Sequence, residues 1–213
     1  MLVLSALVPE ALARTTGDPA LLAALGGIHR RALLRMADGQ REDLAAANPA
    51  DWDASWDMAT ARRVLTARDP DQASGYAEMA ALLAGAEPAT VRNLASYVHH
   101  LTGALVLFGD LADLLNPEGG DLRQGKRTVP LVAHVNALPA SQRPAFLARL
   151  EAAQTSEAER EALRRELRVS PAVAAVMAYR NLDLATARAA LKRVELPDPG
   201  RLAGFVETLA GLG

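Results

Sequence analysis

Leu105 to Leu131 reads LVLFGDLADLLNPEGGDLRQGKRTVPL, an apolar helical run that passes through a glycine-rich turn into a group of cations. Asp110 and Asp113 lie three residues apart on the helical part, so both carboxylates can face one spot. Arg123, Lys126 and Arg127 follow the turn. Carboxylate oxygens suit Mg²⁺, and cations beside them suit a diphosphate bridged by that metal. The chain's lysines are Lys126 and Lys192, which sets Lys126 apart in a sequence whose other basic residues are arginines.

The rest of the sequence places this stretch in a helical protein. Its 213 residues fit one domain, 1–213, with a sizeable core. Half are hydrophobic, only 4% are aromatic, and Ala and Leu dominate, which favours helices packed on helices over β-sheet. The expected fold class is all-α. A net charge of -2 offers no broad electrostatic footprint for nucleic acid, so an anion site must be local. The absence of cysteine excludes disulfides, thiolate metal sites and cysteine nucleophiles, and is consistent with a cytoplasmic location. The opening MLVLSALVPEALAR has no basic residue ahead of its apolar run and lacks spanning length, so neither a signal peptide nor a membrane span is expected.

Taken in order, Leu2 to Leu12 suits a helix, and Asp18 before Pro19 suits the N-cap of the next. Leu22, Leu25, Ile28, Ala32, Leu33 and Met36 recur at helical spacing, and the run closes on Gly39-Gln40-x-x-Asp43-Leu44. Read alone, that is an amphipathic helix with a solvated Asp43. Asn48-Pro49 and Asp51 open a segment in which Trp52 and Trp56 read as core anchors, followed by Ala59-Thr60-Ala61. Arg68-Asp69-Pro70-Asp71 breaks the helix or marks an insertion. Pro88 begins the helix that leads into the central stretch. His99, roughly 16 Å from Asp110 along that helix, is too far to share a metal with it, and both His99 and His100 read as structural. After Pro130 helices are expected over Leu131–Leu138, Pro144–Ala153, Glu157–Leu167, Pro171–Met177 and Leu182–Val194, then a short final helix after Leu196-Pro197-Asp198-Pro199. Ser156 and Glu159 suit a capping box, and the charges of Glu157 to Arg168 read as a solvated face.

The central stretch also resembles the second Asp-rich motif of the trans-polyprenyl diphosphate synthases. That family runs Asp-Asp-x-x-Asp, a Gly-rich turn, then Asp-Leu-x-x-Gly-Lys-x-Thr-Leu-Pro; here Gly109, Asp110 and Asp113 stand at the acidic positions, and Asp121 to Pro130 matches the end. Gly39-Gln40-x-x-Asp43-Leu44 is similar to a second signature. Trp56-x-x-Ala59-Thr60-Ala61 resembles the segment whose Lys-Thr holds a substrate diphosphate, with Ala59 where the Lys belongs. Val106 stands for the family's Gln, and the Gly-Lys that precedes Asp121 in the family is missing. The first Asp-rich motif is expected upstream of the Gly-Gln helix, where this sequence has no counterpart; Arg30 and Arg31, on that helix, do not replace its Arg-Arg pair.

The resemblance implies an isoprenoid-synthase-like helical bundle lacking the family's N-terminal helices. It implies Asp110, Asp113 and Asp43 as metal ligands, Mg²⁺ as the cofactor, and Gln40, Thr60, Arg123, Lys126 and Thr128 as binders of an isoprenoid diphosphate. No catalytic residue is assigned. The expected role is that of a synthase-like protein with a residual half-site, catalytically reduced or a regulatory partner, acting as a homodimer or with a complete polyprenyl synthase. The alternatives are an active prenyltransferase that condenses an allylic diphosphate with isopentenyl diphosphate through an altered site, and a nucleotide binder using Gly120-x-x-x-x-Gly125-Lys126 as a P-loop. A P-loop needs a preceding strand and a Ser or Thr after the Lys, whereas a helix is expected before it and Arg127 follows.

Overall fold

A computed structural model of the chain describes residues 2–45, 52, 56–196 and 198–212, with side chains from Val8 onward. These residues form α-helices joined by turns, with no strand among them. The architecture is built on α5 (Pro88–Leu115), which starts with Pro88 in its first turn and ends at Asn116, an extended residue that leaves the helix. Leu107, Leu111 and Leu114 recur at helical spacing and are buried, as are Tyr97, Gly103 and Ala104. On one side α5 packs against α4 (Pro70–Leu83), on the other against α10 (Pro171–Leu191). Its length and composition would let it cross a membrane, but both flanks are engaged by other helices.

The remaining helices enclose this trio. α2 (Pro19–Ala45) lies on α3 (Met58–Arg68) and α4, and α1 (Leu2–Ala13) packs on α2. α7 (Val129–Ala137) packs against α10, α3 and α5, while α6 (Asp121–Gln124) is a single turn between α5 and α7. α8 (Arg143–Ala153) and α9 (Glu157–Arg168) pair, and α11 (Gly200–Ala210) covers the end of α10. Val129, Val132 and Val176 join Leu107 in the core where α3, α5, α7 and α10 meet.

The local stop signals act as expected. The Asp18 carboxylate accepts the N–H of Ala20 at 2.8 Å at the start of α2, and the break at Asp69-Pro70 separates α3 from α4. The Ser156 hydroxyl accepts the N–H of Glu159 at 3.3 Å, but the Glu159 carboxylate accepts from Arg149 Nε at 2.6 Å, so the recorded cap is one-sided.

Two expectations fail. α10 is continuous where two helices were expected, because residues 178–181 contain neither Gly nor Pro. Arg180 in this segment is almost fully buried, its guanidinium 5.4 Å from the Phe108 ring centre and donating to the carbonyl of Leu209. Nor is α9 simply a solvated charged face. Arg160 and Arg164 are buried; Arg160 donates to the carbonyls of Ala153 and Gln154, and Arg164 to that of Pro117 at 2.9 Å. Asn48, Pro49 and Asp51, and the proline of the Leu196-Pro197 turn, lie outside the described residues.

Candidate active-site cleft

Gly39 brings two walls of the cleft together. A Cβ there would lie 2.8 Å from the Arg68 nitrogen and 3.0 Å from the Ala67 carbonyl carbon, so α2 meets the last turn of α3 backbone to backbone. Gln40 and Asp43, three residues apart on α2, line the cleft beside this contact. α3 ends there because Pro70 opens the next helix. Arg68 thereby projects from the break between two helices.

α5 provides the facing wall through Asp110 and Asp113, one helical turn apart. The chain then reverses at Gly119, where a Cβ would sit 1.8 Å from the Asp113 carbonyl oxygen; only glycine lets the turn fold this tightly. The N–H of Asp121 donates to Asp113 Oδ1 at 2.9 Å, tying the turn to the acid of the helix. α6 closes at Gly125 in the left-handed conformation, φ 63°, and its N–H donates to the carbonyl of Asp121. Lys126 Nζ is 3.4 Å from Asp121 Oδ1, and Thr128 begins α7 with a buried hydroxyl that has no hydrogen-bond partner among the described residues.

These residues line one open cleft of about 290 Å³: Gln40, Asp43, Arg68, Asp110, Asp113, Asp121, Lys126 and Thr128. Gln40, Asp43, Asp110, Asp113, Lys126 and Thr128 are therefore brought together as expected. Thr60 and Arg123 are not. Thr60 is in the first turn of α3, its N–H bonded to Asp57 Oδ1, at the opposite end of that helix from Arg68. Arg123 is exposed on α6 and does not line the cleft.

Arg68 and Asp121 complete the cleft although neither was assigned to the site from sequence. Arg68 Nη1 is 3.5 Å from Asp43 Oδ1, Nη2 is 3.6 Å from Asp110 Oδ1, and Nε donates to Asp69 Oδ2 at 2.7 Å. Arg68-Asp69-Pro70-Asp71 breaks the helix, one of the two outcomes expected of it, and Arg68 at that break lines the cleft. The sequence signal that could have identified Arg68 was the helix break itself, since Arg68 directly precedes Asp69-Pro70.

Burial governs the acids. Asp110 is pushed up to about 7 by desolvation, with Arg68 opposing and the Asp121 and Asp43 charges adding. Asp121 is pushed up to about 6, again chiefly by burial and then by Asp113, with Lys126 opposing. Burial would lower the Arg68 pKa, but its bond to Asp69 and the charges of Asp110 and Asp43 outweigh that and raise it.

No group of three or more His, Cys, Asp or Glu among the described residues is arranged to hold a metal unaided. Mg²⁺, however, is commonly held by one or two carboxylates together with substrate phosphates and water. The acids of this cleft, beside an unpartnered Thr128 hydroxyl, fit that shared mode.

The neighbouring motifs have structural employment. Arg127 is buried with its guanidinium 4.9 Å from the Trp56 ring centre and 5.6 Å from that of Trp52, and both rings pack on core clusters. Val106 packs on the core beside Leu107. His100 Nδ1 is 2.9 Å from Asp183 Oδ1, and His99 Nδ1 is 3.4 Å from Asp71 Oδ1. Helix α5 stands where a P-loop would need a strand, and Gly120 to Gly125 spans the turn of α6.

No protein-family model and no curated protein matches the sequence. Solved structures do match the fold. A polyprenyl synthase from Roseobacter denitrificans superposes with a TM-score of 0.79 at 22% identity, covering 95% of this chain and 66% of that one. A polyprenyl synthetase from Streptomyces coelicolor A3(2) gives 0.77 at 24% identity, covering 97% and 62%. A geranylgeranyl pyrophosphate synthase from Corynebacterium glutamicum, solved with isoprenyl diphosphate and magnesium, gives 0.75 at 22% identity, covering 91% and 55%. The chain therefore has the all-α fold of the trans-polyprenyl diphosphate synthases and spans between 55% and 66% of the length of these structures.

Proposed function

We propose that the chain is a trans-polyprenyl diphosphate synthase-like protein of isoprenoid metabolism. Its cleft takes the diphosphate of an isoprenoid together with Mg²⁺, and its turnover in isolation is reduced or absent. The observation that carries this reading is the convergence of Gln40, Asp43, Asp110, Asp113, Lys126 and Thr128, from α2, α5 and the turn before α7, on one cleft that also holds Arg68.

Asp110, Asp113 and Asp43 would hold Mg²⁺, which when bound neutralises the diphosphate oxygens and assists their departure. Lys126 and Arg68 present positive charge to the phosphates, the Thr128 hydroxyl has a hydrogen bond to give, and the Gln40 amide offers a further donor. Reduced turnover is expected because ionising an allylic diphosphate requires a surplus of positive charge around the leaving group, and here position 109 adds no metal ligand and position 59 no cation. The companion proposal is a cytoplasmic protein working as a homodimer or beside a complete polyprenyl synthase.

Calorimetric titration with an unreactive allylic diphosphate analogue tests the site. Binding is expected with Mg²⁺, and not without it or in Asp110→Ala. Absence of binding in every condition would overturn the proposal. Robust condensation of an allylic diphosphate with isopentenyl diphosphate by the isolated chain would instead establish the active prenyltransferase reading.

A further inference from the structure

The position of Arg68 differs from that of a residue that merely waits for an anion. Its guanidinium spans the cleft, 3.5 Å from Asp43 on α2 and 3.6 Å from Asp110 on α5. All three side chains are about equally enclosed, 15% exposed for Arg68 and 14% for each acid. Two carboxylates on opposite walls with a cation between them is an arrangement that a divalent ion keeping part of its water shell would also satisfy, and here the chain supplies the cation itself.

Contact geometry indicates how firmly Arg68 is held. Its hydrogen bond goes to the partly exposed Asp69 at 2.7 Å, whereas the contacts to Asp43 and Asp110 are at the outer limit of hydrogen bonding and hold by charge alone. A planar guanidinium pairs best where it can donate two parallel bonds to one anion, which neither Asp43 nor Asp110 receives here and a phosphate could. The Thr128 hydroxyl, buried on the same cleft and without a hydrogen-bond partner among the described residues, independently marks where such a ligand belongs. Gly39 fixes the pivot, since the α3 backbone at Ala67 and Arg68 rests directly against α2.

We infer that Arg68 is an internal counter-ion that occupies the bridging position between Asp43 and Asp110, keeps divalent cations out of it in the free protein, and leaves for the phosphates when a diphosphate enters. This rests on the diphosphate-site reading and makes it ordered: the diphosphate draws Arg68 off the two carboxylates, and those carboxylates then accept a divalent ion. In the absence of diphosphate the metal and the guanidinium compete for the same oxygens.

Mn²⁺ titration followed by electron paramagnetic resonance of the free ion tests this with no diphosphate present, at about pH 8, where Asp110 of the wild type is ionised, and again at about pH 8.5, because Arg68 holds the Asp110 pKa down and its removal raises it further. Arg68→Met is expected to bind Mn²⁺ about tenfold or more tightly than the wild type, and adding Asp43→Asn to it to remove the gain. Arg68→Gln keeps a polar side chain and serves as a second variant, with circular dichroism reporting whether each is folded. A folded Arg68→Met or Arg68→Gln that binds Mn²⁺ no tighter than the wild type would overturn the inference. Added inorganic diphosphate, after subtraction of the Mn²⁺ that it chelates in protein-free solution, should bring wild-type Mn²⁺ affinity towards that of Arg68→Met. The two proposals fail separately: no gain in bare Mn²⁺ binding sinks the role of Arg68 alone, while a gain without any diphosphate binding sinks the diphosphate site.

Discussion

Gly109 occupies the position of an acid in the resembling motif, and the structure shows that an acid would fit: a Cβ there meets nothing within 4 Å, and the residue is exposed on α5. Gly109→Asp should therefore fold at least as stably as the wild type, since glycine is the poorer helix former, and should raise Mg²⁺ affinity in the presence of the diphosphate analogue about threefold or more by calorimetry. Gly119 is the opposite case. Its Cβ would collide with the Asp113 carbonyl, so Gly119→Ala should cost about 1–3 kcal/mol in urea unfolding and weaken analogue binding by displacing the turn that carries Asp121 and Lys126. Asp110 carries a pH signature. Its pKa is about 7 in the folded chain against an ordinary 3.8, so between roughly pH 4 and pH 7 the native state retains a proton that the unfolded chain has released. Its contribution to stability is full below that window and is lost as the pH rises through it. His99 and His134, whose pKa values burial lowers, pull the other way across the ordinary histidine range but are common to both proteins in a comparison. Melting curves from about pH 5.5 to about pH 8 should show Asp110→Asn losing less stability on going alkaline than the wild type; parallel curves would remove Asp110 as the cause.

At the scale of elements, α9 holds the C-terminal end of α5 in place. The last carbonyls of a helix lack intrahelical donors, and Arg168 donates to that of Leu115 at 3.0 Å, while Arg164 reaches Pro117 in the following turn. Arg164 also pairs with Glu157, which in turn bonds Arg160. Arg164→Met should cost about 1.5–3 kcal/mol in urea unfolding, the range for a hydrogen bond to a charged group, and should loosen the Gly119 turn as seen by faster amide exchange at Asp121. The periodicity of α9 was legible in the sequence, but the burial of its arginines was not. Alternating Glu and Arg on one helix looks the same whether water or another segment's carbonyls receive the guanidinium groups. The continuity of α10 was missed for a related reason: the sequence does not show that Phe108 and the carbonyl of Leu209 take up the Arg180 guanidinium within the bundle.

Across the whole molecule, the cleft joins α2, the end of α3, α5, α6 and the start of α7, so a ligand there bridges segments from Gln40 to Thr128. Binding should therefore stabilise the entire bundle. The analogue with Mg²⁺ at a hundred times its Kd should add about 2.7 kcal/mol, read as a higher melting temperature, and no such rise is expected with EDTA. The amino-acid sequence by itself determined the all-α class, most helix boundaries, and the local pairing of Asp110 with Asp113 ahead of a glycine turn and Lys126. Those features depend on interactions within one or two helical turns, where spacing, caps and proline or glycine breaks decide the outcome. Only the tertiary structure decided that Arg68, rather than a group near Thr60, stands among the acids, that Arg123 turns away, and that Arg160, Arg164 and Arg180 are buried. The partners of those side chains lie tens of residues away in the chain, and which charge meets which is set by how the helices pack.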